Sequence, residues 1–198
     1  MNWNWLGHST FILTNEAGGR LVTDPVDEKS LPNLFPVTAD VITVSHRHFD
    51  HCATERIGGE PIVKESLEPE TLAGFSIRGF ATYHDEVKGA KRGKNTIFLI
   101  EADGQRFVHC GDLGHMPDDE TIAAIRGCDV LMLPVGGIFT IDGKAAWAFT
   151  KRVAPKTAVP MHFFLPELGF TLEPVERFLA AAKADPAPIV IEVPSRSV

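Results

Sequence analysis

Residues Ser45-His46-Arg47-His48-Phe49-Asp50-His51, "SHRHFDH", hold three of the chain's eight histidines and an aspartate. They follow Val41–Val44, a run that is almost wholly apolar and β-branched, as expected for a strand covered on both faces. The cluster therefore falls at the C-terminal end of a buried strand. His46 and His48 are two apart, so at strand geometry they project to one side. Asp50 and His51 follow on the turn. Two imidazoles can share one borderline-soft cation, and the carboxylate with the third imidazole can hold a second. The plainer alternative, a polar loop with idle histidines, suits a lone His-x-His better than this fuller pattern.

Outward from the cluster, Asn2–Leu6, Thr10–Thr14 and Arg20–Thr23 read as short strands, the last two joined by the turn "NEAGG". A Pro-bearing connection, Glu28 to Pro36, leads to the buried run. Further strands are expected near Pro61–Val63, over Ser76–Thr82, and in a hairpin of Asn95–Glu101 and Arg106–His109. Asp118–Arg126 reads as a helix closed by Gly127. Val130–Leu133 follows as a strand. Asp142 is set to cap a helix through about Ala154. Thr157–Met161 is a strand, Thr171 caps a last helix with Pro174 in its first turn, and Ile189–Val193 closes the chain as a strand. Strands dominate the first half and alternate with helices in the second. That order suits stacked sheets flanked by helices, an α/β domain spanning residues 1–198.

Four ligands do not complete two metal sites. The chain offers more at other strand ends: His84 in "FATYHDE", His109 and Asp112 in "RFVHCGDLGH", and His162 in "AVPMHFF". Side chains at successive strand ends converge on one edge of a sheet. His109 competes with His84 as a ligand. An odd offset and a glycine turn separate His109 from Asp112, which ranks His84 ahead.

"HRHFDH", the isolated His84, "HCGDLG" and "PMHF" resemble, in order, the motifs of the metallo-β-lactamase fold. "GHST", "TDP" and "PVGGIFTID" resemble the branch of small, UlaG-like metal-dependent hydrolases. The resemblance covers Leu6 to His162. It implies a four-layer αββα sandwich of two mixed β-sheets flanked by helices, with a binuclear site at one edge. It assigns His46, His48 and His84 to a first metal, and Asp50, His51 and His162 to a second. Asp112 would bridge the two. Two divalent cations about 3.5–4 Å apart share a water and lower its pKa toward neutrality, making the bridging hydroxide the expected nucleophile. Asp50 and Asp112 are the expected catalytic carboxylates. The ligand set suits zinc, with manganese, iron and nickel as alternatives.

By the same resemblance, Asp24 accepts a hydrogen bond from a ligand imidazole. His8 is either near the site or a core histidine bonded to backbone. Phe139, Thr140 and Asp142 are candidates for a pocket wall, with helix capping the stronger reading for Asp142. Gly136-Gly137 would let backbone approach a ligand. "KGAKRGK", Lys88 to Lys94, is either an anion-steering loop or a solvated one. Cys52, Cys110 and Cys128 form too small and odd a set for a disulfide framework.

The net charge of −7 argues against a nucleic-acid surface. The amino-terminal residues do not read as a signal peptide, and no apolar run is long enough for a membrane span. A cytoplasmic protein acting on a small phosphodiester or phosphorylated lactone is the expectation. A homo-oligomer, with a neighbouring subunit lending a lid, stays open. Three other functions compete, of which RNA processing, as in the nuclease members of the fold, is opposed by the same net charge. A diiron redox protein shares the fold, but that branch carries glutamate where this chain has His48. A non-enzymatic metal-binding protein would leave complete ligand sets unexplained.

Overall fold

The β-branched runs pair as the alternation of their side chains requires. The protein is described by a computed structural model covering residues 1–32 and 36–196, so part of the Glu28–Pro36 connection lies outside the described residues. The strands are β1 (Asn2–Gly7), β2 (Thr10–Thr14), β3 (Arg20–Thr23), β4 (Val37–Thr38), β5 (Val41–Thr43), β6 (Ile57–Gly58) and β7 (Ile62–Lys64). They continue as β8 (Glu70–Leu72), β9 (Phe75–Tyr83), β10 (Lys94–Ala102), β11 (Gln105–His109), β12 (Val130–Pro134), β13 (Thr157–Met161) and β14 (Val190–Ile191). Three helices are interleaved with the later strands: α1 (Asp119–Ile125), α2 (Gly143–Val153) and α3 (Glu176–Ala184).

One mixed sheet has the order β1-β2-β3-β5-β7, and the other β14-β13-β12-β11-β10-β9-β8. The two sheets share a core. Phe11, Leu13, Leu21 and Val41 from the first meet Phe98, Ile100, Val108, Leu131 and Val159 from the second. The intervening residues Ile12, Val22 and Ile42 join a separate apolar cluster with Val37 of β4 and Ile57 of β6. This is the period-2 alternation of strands with both faces covered. On the second sheet, α2 buries Ala146, Phe149 and Val153 in the main core, and Trp147 packs edge-on to Phe178 of α3 at 5.8 Å. The architecture is the stacked two-sheet fold that the sequence implies.

Two ends differ from expectation. The last helix begins at Glu176, not after a cap at Thr171. Glu173 precedes Pro174, which disfavours helical backbone at that residue. Its N–H donates to the Gly136 carbonyl at 2.8 Å, and its own carbonyl accepts from Phe164 N–H at 3.0 Å. The segment is thus pinned before the helix starts. The last strand pairs over Val190–Ile191 only, against Thr157 and Ala158. Glu192 N–H still reaches the Ala158 carbonyl at 3.0 Å. The next donor along β13 would come from residue 160, and Pro160 has no N–H.

The expected cap of α2 holds: Asp142 accepts from Ala145 N–H at 2.8 Å. Asp118, read from the sequence as the first helical residue, instead caps α1 and accepts from Thr121 N–H at 2.8 Å. No helix among the described residues is long and apolar enough to cross a membrane.

Candidate metal centre

Six segments end at one edge of the sandwich and deliver a histidine or an aspartate there. His8 follows β1, Asp24 follows β3, His46 to His51 follow β5, His84 follows β9, Asp112 follows β11, and His162 follows β13. His8, Asp24 and His162 reach their places with left-handed backbone, at φ of 53°, 35° and 51°. Non-glycine residues hold such conformations where the surroundings over-determine them, often at functional sites.

Asp112 stands at the middle. Its Oδ2 lies 3.0 Å from His84 Nε2, 3.2 Å from His162 Nε2 and 3.7 Å from His46 Nε2, and its Oδ1 lies 3.1 Å from His51 Nε2. His46, His48 and His84 form one group of donor atoms, and His8, Asp50, His51 and His162 another, each within 4.8 Å. All seven residues expected to bind metal are therefore brought together, with Asp112 between the two groups.

His109 does not face this cluster as a free donor. Its Nε2–H donates to the Ser9 carbonyl at 2.9 Å, and its Nδ1 accepts from Gly111 N–H at 3.3 Å. His8, whose place the sequence left open, is at the site: its Nε2 lies 3.1 Å from Asp50 Oδ2, and its ring sits 4.2 Å from that of His162.

The hydrogen-bond network fixes the tautomers. Asp24 accepts from Ser45 N–H at 2.8 Å, from Ser45 O–H at 2.5 Å and from His51 Nδ1–H at 2.9 Å. Ser45 spends its one proton on Asp24, so its oxygen accepts from His46 Nδ1–H at 2.9 Å. One buried carboxylate thus orients His51 directly and His46 through a hydroxyl. Both Nε2 atoms are left bare toward Asp112. Ser45 carried no signal in the sequence, because a serine at a strand end has many ordinary uses.

The bare atoms test whether a metal fits. His51 Nε2 and Asp112 Oδ1 are buried and have no hydrogen-bond partner. His46 Nε2 and His48 Nδ1 face each other at 3.1 Å. Acceptor pairs at such distances repel unless a metal ion or a proton lies between them. Donors each about 2.1 Å from one shared metal stand roughly 3.0–3.5 Å apart, which matches these separations. The donor set, imidazoles with carboxylates, suits a divalent transition metal.

Charge in the metal-free site follows the same logic. Burial works against a charge on His51, but Asp112, Asp50 and the hydrogen bond to Asp24 outweigh it and raise its pKa well above the usual value. Burial would raise Asp112, yet His162 and His51 pull its carboxyl well below the ordinary range. Burial, then the facing His51, lowers His46 to about 3, and burial, then His162, lowers His8 to about 4. Both are neutral when folded and gain a proton on unfolding below pH 6.5. Their contribution is full above that pH and lost as pH falls toward 4. Chelator-treated protein should lose about 1.4 kcal/mol per pH unit for each of the two groups across that window. His51 has the opposite sign: its contribution is full below pH 6.5 and lost as pH rises through its raised pKa. Urea midpoints measured at several pH values check both limbs.

Asn95 clamps the loop that carries Asp112. Its Nδ2–H donates to the Cys110 carbonyl and its Oδ1 accepts from Asp112 N–H, both at 2.9 Å. Gly111 turns the chain between them at φ +52°, where an added Cβ would stand 2.4 Å from Asn95 Oδ1 and 2.5 Å from Ser45 Cβ. Gly111→Ala should therefore cost at least about 2 kcal/mol, read from the urea midpoint, and weaken metal binding with it.

A cleft of roughly 330 Å³ opens onto the cluster, walled by Phe49, Phe139 and Phe170, with Arg92 at its side. Of the sequence candidates, Phe139 lines it, while Thr140 and Asp142 do not. Asp142 caps α2 instead. Gly136 and Gly137 approach the chain itself: a Cβ on Gly136 would meet the His162 carbonyl oxygen at 2.0 Å, and one on Gly137 the Glu173 side chain at 2.8 Å. Within Lys88–Lys94, Arg92 alone reaches the cleft wall, and Lys91 pairs with Glu86. Burial raises the thiols of Cys110 and Cys128, the latter to about 12, so neither is a nucleophile.

Comparison with known proteins agrees with this construction. The family model described as a beta-lactamase superfamily domain matches residues 2–162. A protein of Methanoculleus marisnigri named as a UPF0173 metal-dependent hydrolase is 32% identical over 203 residues, covering 89% of this chain and 88% of its own. A protein of the same name from Pyrobaculum islandicum is 30% identical over 190 residues, covering 82% and 84%. The crystal structure of a candidate zinc-dependent hydrolase from Thermotoga maritima superposes with a TM-score of 0.75 at 36% identity, covering 90% of this chain and 84% of that one. By its fold, its ordered histidine and aspartate segments and these relatives, the chain belongs to the metallo-β-lactamase superfamily.

Proposed function

We propose that the protein is a metal-dependent hydrolase with a binuclear centre, acting on a small ester, a phosphodiester or a phosphorylated lactone. The observation that carries this reading is the Asp112 carboxylate. It lies within 3.0–3.2 Å of three ring nitrogens contributed by both histidine groups. His46, His48 and His84 would hold one metal, Asp50, His51 and His162 the other, and Asp112 both. The names of the relatives support metal dependence and hydrolysis, and the donor set favours zinc, with manganese, iron and nickel as the other candidates.

Bound divalent metals would supply a water ionised near neutral pH and a Lewis acid for the substrate's carbonyl or phosphoryl oxygen. The chain's own residues do the rest. Asp24 and Ser45 hold His51 and His46 in the tautomer that leaves Nε2 free. Asp50 lies on the cleft wall with one oxygen 3.1 Å from His8 Nε2. There it accepts a hydrogen bond from the attacking water and orients it. Phe49, Phe139 and Phe170 give the substrate an apolar seat and displace loose water from the reacting bond.

The test is a panel of a phosphodiester, a lactone, a thioester and a β-lactam, run on metal-reconstituted protein. Turnover of one class, abolished by chelation and restored by added metal, is the expected result. Full metal occupancy with no turnover of any class would count against hydrolysis.

A further inference from the structure

Resting on the hydrolase reading above, we propose that Arg92 is the anion-reading residue of the cleft. The substrate class that fits is a small ester carrying a carboxylate or phosphate beside an apolar body. Arg92 shares the cleft with Phe49, Phe139 and Phe170. Its guanidinium lies over the Phe139 ring, 5.5 Å from the centroid, and its Nη2 donates to the Ile138 carbonyl at 3.2 Å. Stacking and one hydrogen bond hold the group in place. They use few of its five N–H donors.

Its base is built as well. Asp85 is buried and accepts four backbone N–H groups, from Val87, Gly89, Lys91 and Arg92, at 2.7–2.9 Å. The loop that carries Arg92 is therefore tied down at its root beside His84. The other cations of the loop are placed differently. Lys91 is paired with Glu86, and Lys88 lines a separate depression beside Tyr83 and His115. Among the described residues, no carboxylate stands within ion-pair distance of Arg92. A fixed guanidinium without a counter-ion, between aromatic walls and a metal-binding floor, selects a molecule with one anionic and one apolar part.

The test uses metal-reconstituted protein and two aryl esters that differ at the end of the acyl chain, one a methyl and the other a carboxylate. The quantity read is the ratio of kcat/KM for the anionic over the neutral ester. Arg92→Ala should lower that ratio about tenfold or more, and Arg92→Lys should recover part of it. Lys91→Ala removes the same charge one residue away and should leave the ratio where it was. An unchanged ratio in Arg92→Ala, or an equal fall in Lys91→Ala, would overturn the proposal, the second by showing long-range steering instead of a contact. If the metal-loaded protein hydrolyses neither ester, the hydrolase reading is what fails on these substrates. The subsite is then judged alone, by calorimetric binding of 3-phenylpropionate against 3-phenylpropanol. A preference for the carboxylate that disappears in Arg92→Ala sustains it, and equal binding of the two probes rejects it.

Discussion

Asp112→Ala is expected to reduce turnover on the order of 10³-fold or more, because an outer partner of a metal ligand already costs roughly 10–100-fold when removed and Asp112 serves both groups. Its carboxylate is the closest acidic partner of His84 and His162 and lies 3.1 Å from His51 Nε2. Without it, these imidazoles face one another with no anion between them. Metal content should fall below two per chain in the same variant. Asp112→Asn keeps the shape and removes the charge, so it should share the loss of turnover while perturbing the fold less. Near-normal kcat in either variant would mean that the two groups work without a shared ligand.

The second large effect is expected at Asp24. This carboxylate is fully buried and accepts three hydrogen bonds, two from Ser45 and one from His51. Asp24→Ala leaves a buried His51 without its partner, and breaking such a pair costs about 3–5 kcal/mol. The urea midpoint of the metal-free protein reads that loss. Asp24→Asn separates orientation from folding. An amide oxygen can still accept, but its NH₂ cannot accept from Ser45 or His51. Metal affinity should drop about 10–100-fold with a smaller change in midpoint. Equal affinity in Asp24→Asn would show that the carboxylate does not set the ligand tautomers.

Much of the fold was legible because it rests on period-2 patterns bounded by turns. Val41–Val44 and the hairpin across Asp103-Gly104 are strong local signals that tertiary packing reinforces. The convergence of the candidate ligands was legible because each sits just past such a strand. What local sequence could not supply was the network between distant segments. Ser45 links Asp24 to His46, and Asn95 clamps the Asp112 loop, yet both are common residue types with many other uses. The choice of His84 over His109 turned on the Ser9 carbonyl, 100 residues from His109 in the chain. The late start of α3 and the short β14 came from prolines whose effect depends on the neighbouring segment. Arg92 stood out from its loop only once Asp85 and Phe139 were in place around it.

The central claim is that two metals share Asp112. Anomalous diffraction from crystals of reconstituted protein, collected at the absorption edge of the bound metal, tests it most directly. The account predicts two peaks, one among His46, His48 and His84 and one among Asp50, His51 and His162, with the Asp112 carboxylate between them. A single peak, or peaks away from these side chains, would contradict it.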